Sequence, residues 1–404
     1  MGTAEVTSGI VDGDHALETA TVLGRRFAEN ATLRDANREL PHTQIREFAG
    51  SGLGAVTVPR AYGGIDVPTE TLVEIFRLLA EADPSIAQIP QSHFTFLELL
   101  RSQGTPDQQE FFYGEVRSGA LFANAQSERG PHPVDVDTTV LVPSGAGFTL
   151  SGRKFYSTGA LFADWIAVRA SVVGDGGTPG RGTPKAVAFV PRDAAGLTVV
   201  DDWDGMGQRT TASGTVTLDG VTVPASSIVP YSGLFDGPTT YGAQAQILHA
   251  AIDVGIATGA LREAVVQAGR ARPHFEAGVD RAVDDPLLAQ LAGEVTVTVR
   301  AAQALLTVAA RAVDSARTDL DADTAAAASI DVATAKVAAT RAALDAANAV
   351  FELGGTRSAS GAANLSRYWR DARTHTLHDA TRWKLQHIGR WTLDGTSPPR
   401  HGVI

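Results

Sequence analysis

Along the first third of the chain, apolar residues recur every three to four positions, the period of a half-buried α-helix. His15–Asn30 and Thr69–Ala82 carry this pattern, the second with Thr69 or Thr71 as candidate caps. Pro84 opens a predicted helix that runs to Gln103. Thr105-Pro106-Asp107 joins a threonine cap to proline at the first helical position, which predicts a helix to about Ser118. Between the early helices, GLGAVTVPRAYGG (52–64) reads as an extended apolar run closed by a Gly-Gly turn.

The pattern changes over 121–225. Short runs rich in Val, Phe and Thr (VLVPSGAGFTLSGRKFYSTG, WIAVRASVV, AVAFV, LTVV, GTVTLDGVTV) are separated by Gly, Pro and Asp. That spacing predicts a small antiparallel sheet domain, with GDGGTPGRGTP (174–184) as a hairpin loop. From 238 to 354 the helical period returns in alanine-dense form, predicting helices over Tyr241–Gly269, Asp285–Ala316 and Thr324–Gly354. The expected fold is α+β and mostly helical: a helical domain over 1–120, a β domain over 121–230, and a helical bundle with a C-terminal tail over 231–404.

Composition narrows the function classes. With 404 residues the chain can bury a sizeable core. A net charge of −11 gives no basis for nucleic-acid binding or an anionic membrane surface. No cysteine is present, which excludes disulfides, thiolate metal sites and thiol catalysis. The start, MGTAEVTSGIVDGDHALETA, lacks the basic and apolar regions of a secretory signal, and no run of about 18 apolar residues exists. A cytoplasmic location is the expectation.

Histidine supplies the candidate chemistry. His375 and His378 are three apart and can share one side of a helical turn. With Asp379 and His387 they match no metal-ligand spacing, so no metal is expected. His93, in Gln91-Ser92-His93-Phe94, reads either as a packed residue or as one wall of a pocket. On a strand, Phe155 and Ser157 would point the same way, presenting an aromatic face and a hydroxyl together. Gly145-Ala146-Gly147 is a turn between strands, not a dinucleotide fingerprint, and the Asp-rich stretch 314–323 reads as a solvated loop.

The order of motifs resembles the acyl-CoA dehydrogenase superfamily over essentially the whole chain. Residues 52–64 resemble its Gly-x-x-Gly-x-x-x-Pro-x-x-Tyr-Gly-Gly element, and Gly152–Gly159 its Gly-x-Lys-x-Trp-Ile-Thr-Asn segment. Phe122–Glu128 matches the Thr-Glu-Pro region, and Trp203–Ser213 a segment read here as a structural turn. The resemblance implies flavin contacts from Asn124, Ser127, Phe155 and Ser157. It also implies a phosphate contact from Arg272 to a neighbouring subunit's cofactor, and a cofactor-side turn at Gly354-Gly355. The family's base, a glutamate in Tyr-Glu-Gly, is replaced in Leu377-His378-Asp379. Its adenine-side glutamine is Phe351, which leans the cofactor from FAD towards FMN.

Closer blocks place the chain nearest the flavin-dependent monooxygenases. KFYSTGALFADWIAV (154–168) and DDWDGMGQRTTASGTV (201–216) are similar to enzymes of the dibenzothiophene monooxygenase type. QILHAAID (246–253), FELGGTRS (351–358) and RTHTLHDATRWK (373–384) are similar to the sulfur-acquisition oxidoreductases. That resemblance implies a homotetramer that takes reduced FMN from a separate NAD(P)H-dependent reductase. It further implies that oxygen adds to the flavin and that the hydroperoxide oxygenates a small organosulfur substrate. His378, Ser157 and His93 are the expected catalytic residues. The alternative is an FAD-dependent acyl-CoA dehydrogenase with a relocated glutamate, for which Glu263 is the candidate.

Overall fold

The computed structural model describes residues 9–133 and 135–404; residues 1–8, read above for a signal, lie outside the described residues. The N-terminal helices are α1 (Gly13–Ala28), α2 (Ala31–Asn37), α3 (His42–Gly50), α4 (Thr69–Ala82), α5 (Pro84–Gln88), α6 (Gln91–Gln103) and α7 (Pro106–Arg117). The expected single helix from Pro84 to Gln103 is broken at Ile89-Pro90, because Pro90 has no N–H to continue the ladder. The segment 52–64 is not extended. It folds as two short 3₁₀ turns, Leu53–Ala55 and Arg60–Tyr62, with Gly52 and Gly63 at φ 84° and 76°.

Caps show which signals are local. Thr105 and Gln108 form the capping box that starts α7. The start of α4 is capped from elsewhere: Asp314 accepts from the Thr69 and Glu70 amides at 2.9 and 3.4 Å. Asp314 is therefore a helix residue rather than part of a solvated loop.

The middle of the chain forms one sheet of β1 (Phe122–Ala125), β2 (Val140–Ser144), β3 (Gly147–Lys154), β4 (Trp165–Val172), β5 (Lys185–Pro191), β6 (Leu197–Val200), β7 (Thr215–Pro224) and β8 (Ile228–Pro230). The order is β6-β7-β3-β2-β4-β5-β8, with β1 added parallel to β4. Most pairs are antiparallel, and β2 meets β4 in parallel over two residues.

Three long helices follow, α8 (Tyr241–Ala268), α9 (Pro286–Thr318) and α10 (Ala322–Gly354), then α11 (Ser366–His375) and α12 (Thr381–Asp394). Buried alanines such as Ala335, Ala339, Ala342, Ala343 and Ala346 on α10 let α8 and α10 approach closely. Gly255 and Gly259 on α8 do the same for α4, since a Cβ there would lie 2.6 and 2.7 Å from the Arg77 and Glu81 carbonyl oxygens. α8 is thus buried along most of its length. Polar residues on its buried stretch, such as His249 and Asp253, have no route to solvent and need internal partners. Among the described residues no helix is long and apolar enough to cross a membrane.

Candidate active site

The sheet delivers one half of the site. β3 stops at Lys154, whose fully buried ammonium lies 2.7 Å from Glu128 and 3.1 Å from Asp137. Strand alternation does not carry Phe155 and Ser157 as expected. Phe155 makes one isolated bridge to Ser127, and Tyr156 turns to φ 56°. This left-handed residue re-aims the chain and drives Ser157 inward. Ser157 is fully buried; its amide donates to the Gly214 carbonyl at 3.0 Å, while its hydroxyl has no partner. On β1, the Asn124 amide N–H donates to the Tyr156 carbonyl at 3.4 Å, and its buried Oδ1 likewise has no partner. Phe155 is half-buried with the Arg129 guanidinium 4.7 Å from its ring centre, and Ser127 is exposed.

The segment 203–213, read from sequence as a structural turn, borders this half. Thr158 Oγ1 is 2.6 Å from Ser213 Oγ, which is 2.8 Å from Thr211 Oγ1. Both polar ends of the Gln208 side chain are buried without partners. The segment docks on α11, where the Gln208 amide donates to Asp371 at 2.6 Å. A Cβ on Gly207 would lie 2.0 Å from the Arg370 carbonyl oxygen, so glycine is required at that contact.

Burial pushes the Asp371 carboxyl up to about 7, with Asp35 adding to the rise and the Gln208 amide opposing it. A folded value above the ordinary 3.8 means the fold holds a proton that the unfolded chain releases. Stability from this group is complete below about pH 4 and is lost as pH rises to about 7. Asp371→Asn should remove about 2–4 kcal/mol of that loss. Urea unfolding at stepped pH reads it, and an unchanged slope would contradict it.

The helices deliver the other half. His378, in the α11–α12 turn, is exposed; its Nδ1 is 3.5 Å from Asp379 and its ring lies over His249 of α8 with centres 3.8 Å apart and planes tilted by 31°. His249 Nδ1 is 3.2 Å from His375 Nε2, and His375 Nδ1 is 2.5 Å from Asp253. Asp253 is also 2.7 Å from Lys336 of α10. Burial holds His249 well below the ordinary histidine value, and it lowers His375 despite the opposing pull of Asp253. Burial works to raise Asp253, but Lys336 and His375 outweigh it and keep it an anion. Burial likewise opposes ionisation of Asp379, and the His378 contact with the Lys336 and Lys384 charges overcomes it.

The end of α5 joins the halves. Gln88 Oε1 lies 2.9 Å from His375 Nε2. A Cβ on Gly159 would lie 3.0 Å from the Ile89 carbonyl oxygen, so the Ser157 loop rests on the same turn. α5 itself is capped by Asp83, whose Oδ1 accepts from the Ser85 and Ile86 amides at 3.1 and 3.3 Å.

His93 is not brought into this group as a free acid or base. It is fully buried, its Nδ1 accepts from the Phe122 amide at 3.0 Å, and its Nε2 faces the Gly54 carbonyl at 2.8 Å. Burial lowers it to about 4, so the ring is a neutral fastener between α6, β1 and the 53–55 turn. Arg272 and Phe275 are on the α8–α9 connection, both exposed, Phe275 to 84%. Gly354 is buried at the end of α10, where a Cβ would lie 2.1 Å from Ser358 Oγ. Gly355 adopts φ 67° with ψ −162°, a region open to glycine.

Glu263 sits 14 residues after His249 on the same helix, about 21 Å along its axis. It is held by Gln267 and Tyr368 at 2.7 and 3.4 Å, so it does not reach the His378 side. Among the described residues no group of three or more His, Asp or Glu side chains is arranged to hold a metal ion. Sequence reasoning missed Gln88, His249, Asp253, Lys336 and Gln208. A signal existed for two of them. His249 and Asp253 are four apart on an otherwise apolar helix, which puts both on one buried face.

Comparison with known proteins agrees with this architecture. Three acyl-CoA dehydrogenase profiles match in order: the N-terminal domain over 18–120, the middle domain over 122–221 and the C-terminal domain over 247–383. Dibenzothiophene monooxygenase of Rhodococcus qingshengii is 30% identical over 388 residues, covering 93% of this chain and 92% of that one. A probable FMNH2-dependent monooxygenase of Pseudomonas putida is 30% identical over 394 residues, covering 95% and 96%. The FMN-bound TdsC structure from Paenibacillus sp. A11-2 superposes with a TM-score of 0.90 at 28% identity, over 96% of this chain and all of that one. The chain therefore belongs to the acyl-CoA dehydrogenase family, on the branch that contains dibenzothiophene monooxygenase.

Proposed function

We propose that this protein is a flavin-dependent monooxygenase that uses reduced FMN and O2 to oxygenate a small organosulfur substrate. The observation that carries the reading is the pair of buried, partnerless polar groups, the Ser157 hydroxyl and Asn124 Oδ1, on adjoining segments. An orphaned buried polar atom costs about 1–3 kcal/mol, so two together call for a polar ligand edge. A flavin ring offers such an edge, and the half-buried Phe155 offers a face to its plane. Relatives named for FMN or FMNH2 support that identity of the group. When bound, reduced FMN supplies the electrons that activate O2.

The chain's own residues do the rest. Ser157 donates its hydroxyl proton to the ligand edge, Asn124 orients it, and Ser127 lines the outer rim. Gly354 and Gly355 shape the turn at the far end of the cofactor. His378 faces the reacting side and holds or releases a proton there, a task suited to an imidazole near neutral pH. The dehydrogenase alternative has no carboxylate in that position, since Glu263 is distant and Asp379 is tied to Lys384 at 3.2 Å.

Two partners complete the proposal. A separate NAD(P)H-dependent reductase delivers the reduced flavin, as the FMNH2-dependent relative implies. Assembly as a homotetramer brings Arg272 to a neighbouring subunit's phosphate, which suits its exposed position beside Phe275. A permanently charged, bidentate guanidinium fits a phosphate.

Anaerobic titration tests the reading. Reduced FMN should bind more tightly than reduced FAD or oxidised FMN, and equal or tighter binding of FAD would overturn the cofactor assignment. Arg272→Ala should weaken reduced FMN binding by about tenfold or more, in line with loss of a charge-assisted contact worth about 1.5–3 kcal/mol. Circular dichroism and melting temperature should stay unchanged. Unaltered affinity would remove Arg272 from the site.

A further inference from the structure

A chain of four side chains, His249, His375, Asp253 and Lys336, runs inward from His378. The Asp253 carboxylate can only accept, so His375 Nδ1 carries the hydrogen in their 2.5 Å contact. With His375 neutral, its Nε2 is an acceptor, and His249 Nδ1–H donates to it across 3.2 Å. Gln88 Oε1 lies 2.9 Å from the same nitrogen; a neutral His375 with Nε2 as acceptor requires the Gln88 amide turned over, so that its N–H₂ end faces the ring. This leaves His249 Nε2 without a hydrogen. Lys336 at 2.7 Å and Thr340 at 3.3 Å fix the remaining carboxylate oxygen of Asp253.

The His249–His378 stack sets a second condition. Two imidazolium rings with centres 3.8 Å apart repel, so the pair holds one exchangeable proton. The two rings differ in surroundings: His249 is 2% exposed and meets His375 of α11, whereas the His378 side chain is 41% exposed. Charged groups facing the pair come from every neighbouring element. They are Lys336 on α10, His375 on α11 and Lys384 on α12, with Asp379 in the turn against His378 and Asp253 on α8 against His375.

We propose that His249 is the positioning residue of this site: stacked on His378 and tied through His375 to Asp253, it keeps the exchangeable proton of the pair on His378. His249 acts through another residue, in the way an aspartate fixes a histidine tautomer, but by stacking. The inference rests on the reading that His378 faces the flavin.

The test uses the full-length protein without flavin. Diethylpyrocarbonate acylates neutral imidazole, so the rate at His378, followed by peptide mass spectrometry from pH 5 to 8.5, gives the pH at which that ring loses its proton. Asp253→Asn/Lys336→Met removes the carboxylate without leaving Lys336 as a stranded buried cation. It should lower the His378 midpoint by about 0.5 pH unit or more, which approaches an about threefold faster reaction at pH well below the midpoint.

The same pair of changes made together with His249→Phe should shift nothing relative to His249→Phe alone, because the link through the ring nitrogen is cut while the aromatic floor stays. An equal shift in both backgrounds would mean that Asp253 acts through space. No shift in either would mean that the chain is merely structural. Both outcomes overturn the proposal. Protection of His378 by added FMN is read separately: its absence sinks the placement of His378 at the flavin and leaves the midpoint comparison intact.

Discussion

Replacing His378 by alanine should lower oxygenation by about 100-fold to 10,000-fold while reduced FMN still binds. Loss of a positioned general acid or base has that magnitude. The reason to expect a kinetic rather than a folding defect is structural. His378 is exposed, its contacts are the His249 ring and a 3.5 Å approach to Asp379, and the Asp379 carboxylate keeps Lys384 at 3.2 Å when the imidazole is removed. Ser157→Ala should behave differently. Its hydroxyl has no internal partner, so the fold loses nothing, but the ligand edge loses a donor and more of the oxygen consumed should leave as peroxide. Single-turnover mixing of enzyme-bound reduced FMN with O2 and substrate, scored for product and peroxide, separates the two variants. Wild-type yield in His378→Ala would return that residue to a packing role.

The largest stability effect should come from Asp83→Ala, with a loss of about 3–5 kcal/mol, the usual result of stranding one member of a buried pair. Asp83 holds Arg34 through contacts of 3.1 and 2.8 Å, and both side chains are buried. Burial raises the Asp83 carboxyl, and Arg34 opposes that rise at close range. The same carboxylate caps α5 through Ser85 and Ile86. Its loss therefore strands a guanidinium and frees the turn that carries Gln88 and Ile89. Because Gln88 meets His375 and Ile89 supports Gly159, flavin affinity should fall along with stability. Urea unfolding checks the first effect and anaerobic titration the second. A loss below about 1 kcal/mol would show that the pair contributes no more than a surface bridge.

What was legible in the sequence was what is local. The Thr105 capping box, the glycine turns between strands and the alanine-dense helices of the bundle depend on residues close in the chain, and they form where expected. The cap on α4 was not legible, because Asp314 lies 245 residues from Thr69. The break at Pro90 was written in the chain, but the apolar period across it was the stronger signal. In the site, the motif resemblance pointed to Ser157 and Asn124, whose polar groups are the partnerless ones. It did not reveal that Tyr156 leaves the strand, which is a backbone event that no residue type demands. The polar chain behind His378 joins residues 122 and 126 apart, and only packing brings them together. His93 shows the reverse error: a histidine beside a pocket in sequence, yet with both nitrogens committed to backbone groups.

The most direct test of the central claim is isotopic. Protein charged anaerobically with reduced FMN is mixed with 18O2 and an organosulfur compound such as a thiophene or a sulfone, and the product is weighed by mass spectrometry. A monooxygenase places one 18O atom in the product per turnover and sends the other to water. Labelled peroxide with no labelled product across such compounds, or reduction of bound FAD by an acyl-CoA thioester, would contradict the account.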